Sequence, residues 1–236
     1  MIKVEHINKY YKNKQVLFDF SMNIEKNVIY GLVGPNGAGK TTFLKVLSGL
    51  LDYTDGSITV DNNQDYLAWC KKNIVFMPSG ERGLRYKNTV YDNVMCFAAL
   101  KGMESNKVKE RIEVYSQAIV FSDLLYRRIE TLSTGEKKKA MLLCCLCADM
   151  KIIIMDEPSN GLDIDAQLEM KELLKKLSRF NKKTFLISSH DMGFLSGLAE
   201  HYVFIFQGKK IVESDTSMKA EEIVKKYTRV KACLGD

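Results

Sequence analysis

The chain has 236 residues, 46% hydrophobic and 27% charged, an ordinary globular balance with enough length to bury about 70% of the unfolded surface. Three prolines argue against a fibrous or disordered chain, and the longest apolar run, 140–148 between Lys139 and Asp149, falls short of the roughly 20 residues a membrane-spanning helix needs. A net charge of +6, from 35 basic and 29 acidic residues, permits an anionic partner and demands none.

Residues 1–6 alternate and carry charge, which suits a strand and not a secretion signal. The six cysteines, at 70, 96, 144, 145, 147 and 233, are therefore expected as reduced thiols. Cys144 and Cys147 have the CxxC spacing of a redox or zinc site, but they sit in an apolar helical stretch without a second ligand pair. Packing as small hydrophobes is the expected role.

A second strand is expected over 16–24, and the apolar run 28–33 suits a buried strand. Glycine-rich 34–39 follows. Phe43, Leu44, Val46, Leu47, Leu50 and Leu51 then recur at helical spacing and predict a helix over 41–51. Residues 56–60 and 73–77 read as strands. From about 89 to 150 helical periodicity dominates, and Ser133 is placed to cap a helix running toward Ala148. Residues 151–155 form another apolar strand. An amphipathic helix is predicted over 163–180, with Ile164, Leu168, Leu174, Leu177 and Phe180 on one face and Lys171, Glu172, Lys175 and Lys176 opposite. A buried strand over 184–188, a hairpin of 202–207 and 209–213 about Gly208, and a short helix over 220–227 complete the chain. Strands apolar on both faces, alternating with helices, point to an α/β fold with a mainly parallel sheet.

The stretch Gly34, Pro35, Asn36, Gly37, Ala38, Gly39, Lys40, Thr41, Thr42 fits the P-loop pattern, with a strand before it and a helix after it. Glycines let backbone N–H groups wrap phosphates closely, and the helix N-terminus adds partial positive charge. Lys40 would reach the β- and γ-phosphates and the Thr41 hydroxyl would ligate Mg²⁺. A second element is the apolar strand that ends in Asp156-Glu157. It would deliver the Asp156 carboxylate to Mg²⁺ and leave Glu157 to polarise the attacking water.

Kinases, GTPases, helicases and motors share these two elements; a third narrows the field. Leu132-Ser-Thr-Gly-Glu136, upstream of the strand that ends in Asp156, resembles the Leu-Ser-Gly-Gly-Gln signature of ATP-binding cassette proteins. Pro158-Ser-Asn-Gly-Leu-Asp163 resembles that family's D-loop. His190, at the end of an apolar strand and separated from Glu157 by one helix and that strand, resembles its switch histidine. The resemblance covers nearly the whole chain. It implies a RecA-like P-loop core, an N-terminal antiparallel β subdomain and a helical insert, as a single nucleotide-binding domain over 1–236. Residues 1–88 and 151–236 would carry the core and β subdomain, and 89–150 the insert. It also implies two subunits closing head to tail around two ATP molecules. Ser133 and the Gly135 N–H would cap the γ-phosphate held by the partner, Asp163 would link the two sites, His190 would help orient the water, and Tyr11 (or its neighbour Tyr10) would stack on adenine.

The chain departs from the family's pattern after Phe76-Met-Pro78, where a Mg²⁺-ligating Gln is usual. Ser79 holds that position, and Ser79 and Glu81 are both open as its replacement. The function implied is ATP hydrolysis that powers a membrane transporter. A separate polytopic permease would dock near 79–93, where Glu81, Arg82, Arg85 and Lys87 lie, so the subunit would work at the cytoplasmic face of the membrane. A second nucleotide-binding subunit, identical or different, is the other partner, and no nucleic acid is expected. One compact cassette without heptads or zinc spacing sets this reading above a cassette ATPase of ribosomes or nucleic acid. The stretch 31–42, with 159–163, looks most like exporter subunits of the drug, lantibiotic and polysaccharide efflux group, and the short tail after about 214 fits that group.

Overall fold

The computed structural model describes residues 1–61, 65–80, 83–119, 121–214 and 216–233. Two sheets organise the chain. Strands β1 (Ile2–Tyr11), β2 (Lys14–Ile24) and β4 (Asp55–Val60) form an antiparallel sheet in the order β2-β1-β4. The larger sheet has the order β5-β6-β7-β3-β8-β9, from β3 (Ile29–Val33), β5 (Ile74–Met77), β6 (Ile152–Asp156), β7 (Thr184–Ser189), β8 (His201–Phe206) and β9 (Lys209–Ser214). All its pairings are parallel except the β8–β9 hairpin.

The parallel strands are buried on both faces, as their apolar runs require. Tyr30, Leu32, Ile154 and Leu186 pack toward the antiparallel sheet and helices α1 (Lys40–Leu47) and α2 (Tyr66–Asn73). Ile29, Val33, Ile153, Phe185 and Ile187 face the opposite cluster. That cluster holds α3 (Val90–Leu100), α4 (Ser105–Ala118), α5 (Thr134–Cys147), α6 (Ile164–Asn181), α7 (Met192–Leu195) and part of α8 (Ala220–Cys233). The stretch between β5 and β6 is accordingly helical. Cys144, Cys145 and Cys147 are core residues of α5; burial pushes the thiols of Cys145 and Cys147 up to about 12 and that of Cys144 well above its ordinary value. Among the described residues no helix is long and apolar enough to cross a membrane.

Five local expectations change, the simplest being that α8 runs on to Cys233, past the expected end at 227. The helix after the glycine-rich loop stops at Leu47, because Gly49 turns the chain at φ +68° and leaves Leu50 65% exposed. β1 runs on to Tyr11 through bulges that break its alternation. Helix α2, capped by Asp65, precedes β5 and takes in Asn73. On α6 the buried residues are Met170, Leu173, Leu174, Leu177 and Ser178, whereas Ile164 and Phe180 are each 77% exposed and Leu168 is exposed too. The predicted apolar face merged two angular stripes.

Candidate active site

Strand order decides what can meet. β3 lies between β7 and β8, and β6 lies on the other side of β7. In register, Val33 stands opposite Ser189, and Asp156 opposite Ser188. The carboxyl ends of three adjacent parallel strands therefore deliver the glycine-rich loop, the acidic pair and His190 to one edge of the sheet, where open α/β sheets bind ligands.

The loop is shaped by crowding. A Cβ on Gly34 would stand 2.3 Å from the Ile205 carbonyl oxygen, so no side chain fits there. Gly39 caps α1 at φ +102°, a left-handed conformation that suits glycine. Gly208 N donates to Ala38 O at 2.9 Å, and Phe18 N donates to Gly208 O at 2.9 Å, so the loop is clamped between β2 and the β8–β9 turn. Asn36 and Gly37 stay exposed at its tip, while Ala38, Gly39 and Lys40 are buried. The Lys40 ammonium donates to Gly34 O at 2.7 Å and Pro35 O at 3.2 Å, and it lies 3.6 Å from a Glu157 carboxylate oxygen.

Thr41 Oγ1 donates to both Asp156 oxygens at 2.9 Å, which joins the first turn of α1 to the end of β6. Ser188 Oγ donates to Asp156 Oδ1 at 2.6 Å and accepts from Glu157 N at 3.1 Å. Glu157 takes the unusual φ of +51°, held by this contact and by a second hydrogen bond from its N–H to Ser188 O at 3.0 Å. Its carboxylate, 12% exposed, accepts from His190 N at 3.1 Å and pairs with His190 Nδ1 at 2.7 Å. A buried aspartate next to a threonine hydroxyl offers the hard oxygen donors that Mg²⁺ prefers. Together these residues could cradle a phosphate, offer oxygen ligands to a cation, and hold a water against a carboxylate–imidazole pair.

Other predicted site residues stand apart. Ser133 and Gly135 lie at the N-terminus of α5, where Ser133 Oγ accepts from Glu136 N at 3.3 Å and the Glu136 carboxylate accepts from Ser133 N at 2.7 Å. Asp163 caps α6, accepting from Ala166 N at 2.8 Å, and is otherwise exposed. Tyr10 and Tyr11 are exposed at the end of β1, with Lys9 over the Tyr11 ring at 5.5 Å. Tyr11 pairs with Lys14, close in sequence to Val16, whose carbonyl lies against Gly39. Ser79 is exposed beyond β5, and Glu81 and Arg82 lie outside the described residues. Sequence reasoning misses Ser188; a serine near the end of an otherwise apolar strand, fully buried in the fold, is the signal that points to it.

The profile of the ABC transporter family matches residues 17–160. The chain is 36% identical over 195 residues to the ABC transporter ATP-binding protein NatA of Bacillus subtilis, covering 82% of this chain and 79% of that protein. It is 31% identical over 227 residues to the lantibiotic transport ATP-binding protein SrtF of Streptococcus pyogenes, covering 94% and 95%. Its fold is similar to that of cbiO1 from Clostridium perfringens, part of the transporter complex cbiONQ: TM-score 0.84 at 24% identity, covering 99% of this chain and 94% of that one.

Proposed function

The chain belongs to the ABC transporter family as an ATP-binding and ATP-hydrolysing subunit, and on that premise we propose that it powers an exporter from the cytoplasmic face of the membrane, as a dimer beside a separate polytopic permease. The observation that carries the reading is the unbroken contact line from Thr41 through Asp156 and Ser188 to Glu157 and His190. It sets a cation-binding carboxylate beside a carboxylate–imidazole pair at the mouth of a phosphate loop. Residues 1–236 act as one nucleotide-binding domain in this reading, with 89–150 as the helical insert. The direction of transport rests on the likeness of 31–42 and 159–163 to efflux subunits and on the identity to a lantibiotic transport protein.

Phosphoryl transfer needs positioning and charge stabilisation more than covalent chemistry. Loop amides from Gly34 to Thr42 and the N-terminus of α1 hold the β- and γ-phosphates, and Lys40 turns from its carbonyl partners toward them. Thr41 and Asp156 would hold Mg²⁺, with Ser79 a further oxygen donor from the end of β5. Once bound there, the cation would supply neutralisation of the charge that develops on the phosphates. Glu157 accepts a proton from the water as the water oxygen bonds to the γ-phosphorus and the bond from that phosphorus to the ADP oxygen breaks. His190, whose side chain is 53% exposed, reaches the γ-phosphate and keeps the Glu157 carboxylate aimed. In the closed dimer Ser133 and the Gly135 N–H contribute to the partner's γ-phosphate, Asp163 touches the opposing site, and Tyr11 stacks on adenine.

Glu157→Gln retains the shape of the site and removes the base. It should allow ATP-driven dimers yet lower turnover by at least about 10²-fold. Trapped with ATP in its native cell and drawn from mild detergent, this variant should bring down a polytopic membrane protein. Ribosomes or nucleic acid in its place would overturn the transporter reading, and full-speed turnover would overturn the base.

A further inference from the structure

We propose that Lys138 is a positioning residue that couples the two ATP sites of the dimer, resting on the head-to-tail reading above. Lys138 lies on α5 one turn beyond Thr134, and it is only 8% exposed. A lysine ammonium is rarely buried, because leaving water is costly unless good acceptors replace it. Here the acceptors include two main-chain carbonyls, Pro158 O and Asn160 O, both of the segment that follows Glu157.

That segment is itself fastened to the catalytic edge. Asn160 N donates to Glu157 O at 3.3 Å, and Leu162 N to Ser159 O at 3.1 Å. Ser159 Oγ lies 3.3 Å from Ser189 Oγ, which accepts from Asp191 N at 3.0 Å, beside His190. On the next residue of α5, Lys139 pairs with Glu169 of α6 at 2.5 Å. The segment 158–163 is thus bound on one side to β6 and β7 and on the other to α5. Charge-assisted bonds from one buried ammonium link the two directly.

The consequence follows from who serves whom. Ser133 and Gly135, at the start of α5, act on the ATP held by the partner. Glu157 acts on the ATP held by its own chain. Lys138 fixes one to the other, so a shift of α5 as the partner's phosphate arrives moves the carbonyls next to Glu157. Loss of the ammonium should therefore uncouple the sites while sparing the P-loop.

Mixed dimers with a single Glu157→Gln protomer have one working site. Lys138→Met should slow that site roughly five- to tenfold whether it is carried by the protomer that keeps Glu157 or by the one that lends its α5 terminus. Lys138→Gln, which retains N–H donors, should restore most of the rate. Slowing from one protomer alone, or from neither, overturns the coupling. In the isolated chain, Lys138→Met should speed hydrogen exchange in both 134–137 and 158–163 and leave 40–47 and ATP binding unchanged. Faster exchange in a single segment overturns it as well. If Glu157→Gln forms no ATP-driven dimer before Lys138 is touched, the dimer reading has failed, and the exchange experiment still decides whether Lys138 links the two segments.

Discussion

The edge of the parallel sheet and the N-terminus of α5 carry the two halves of the proposed ATP site, and they are built in opposite ways. At the sheet edge Lys40, Asp156 and Ser188 are buried, and each polar group is held by others of the same chain. At α5, Ser133 is exposed and held by a reciprocal pair with Glu136. In the proposed dimer the first half would serve a ligand that this chain holds itself, and the second a ligand brought by another molecule. Preorganisation concentrates where charge develops and water must be excluded, and a loosely held surface suffices where a second body must dock and leave.

Breaking the buried half should cost most. Lys40→Ala removes a buried cation that touches the loop carbonyls and lies beside Glu157. Hydrolysis should fall by on the order of 10³-fold, as for loss of a principal electrostatic group; phosphate-release kinetics would measure it. Ser188→Ala leaves Asp156 with Thr41 and leaves Glu157 N with the main-chain carbonyl of position 188. The Mg²⁺ concentration for half-maximal activity should rise about tenfold, as when an outer-shell partner of a metal ligand is lost. ATP binding without the metal should be unchanged; a titration in which both move together would mean that Ser188 serves the fold alone.

The exposed half should respond less, and in the opposite direction. Glu136→Gln retains the cap at the start of α5 and removes a negative charge from the place where the partner's γ-phosphate would arrive. In the Glu157→Gln background, ATP should drive dimerisation at roughly two- to fivefold lower concentration, about the worth of one exposed charge at a helix terminus. The gain should fade in high salt, because surface charge is screened. Weaker dimers would mean that the carboxylate assists docking.

The sequence was legible wherever meaning is contiguous. The glycine-rich loop reads without structure because its strand, turn and helix follow one another directly along the chain. The acidic pair reads because a buried strand must end somewhere and Asp156 marks the place. Ser188 and Lys138 do not read, since what matters is what they touch: for one, a carboxylate at the end of a neighbouring strand, and for the other, carbonyls that lie beyond the rest of its helix and a whole strand. Register shifts after Val4, Ile7 and Lys9 put the second half of β1 out of phase with its first, which hid that the strand continues. On α6 the six-residue step from Leu168 to Leu174 makes about 1.7 turns, so two leucines assigned to one face fell on different faces.

The clamp on the phosphate loop ties the grip on nucleotide to a distant part of the sequence. Ala38 O is held by Gly208 N, and Gly34 packs under the carbonyl of Ile205. Contacts so distant in sequence carry a loop-closure cost that local ones do not. The shape of the loop therefore depends on the docked β8–β9 hairpin, and a substitution that loosens the turn at Gly208 should weaken ATP binding as well.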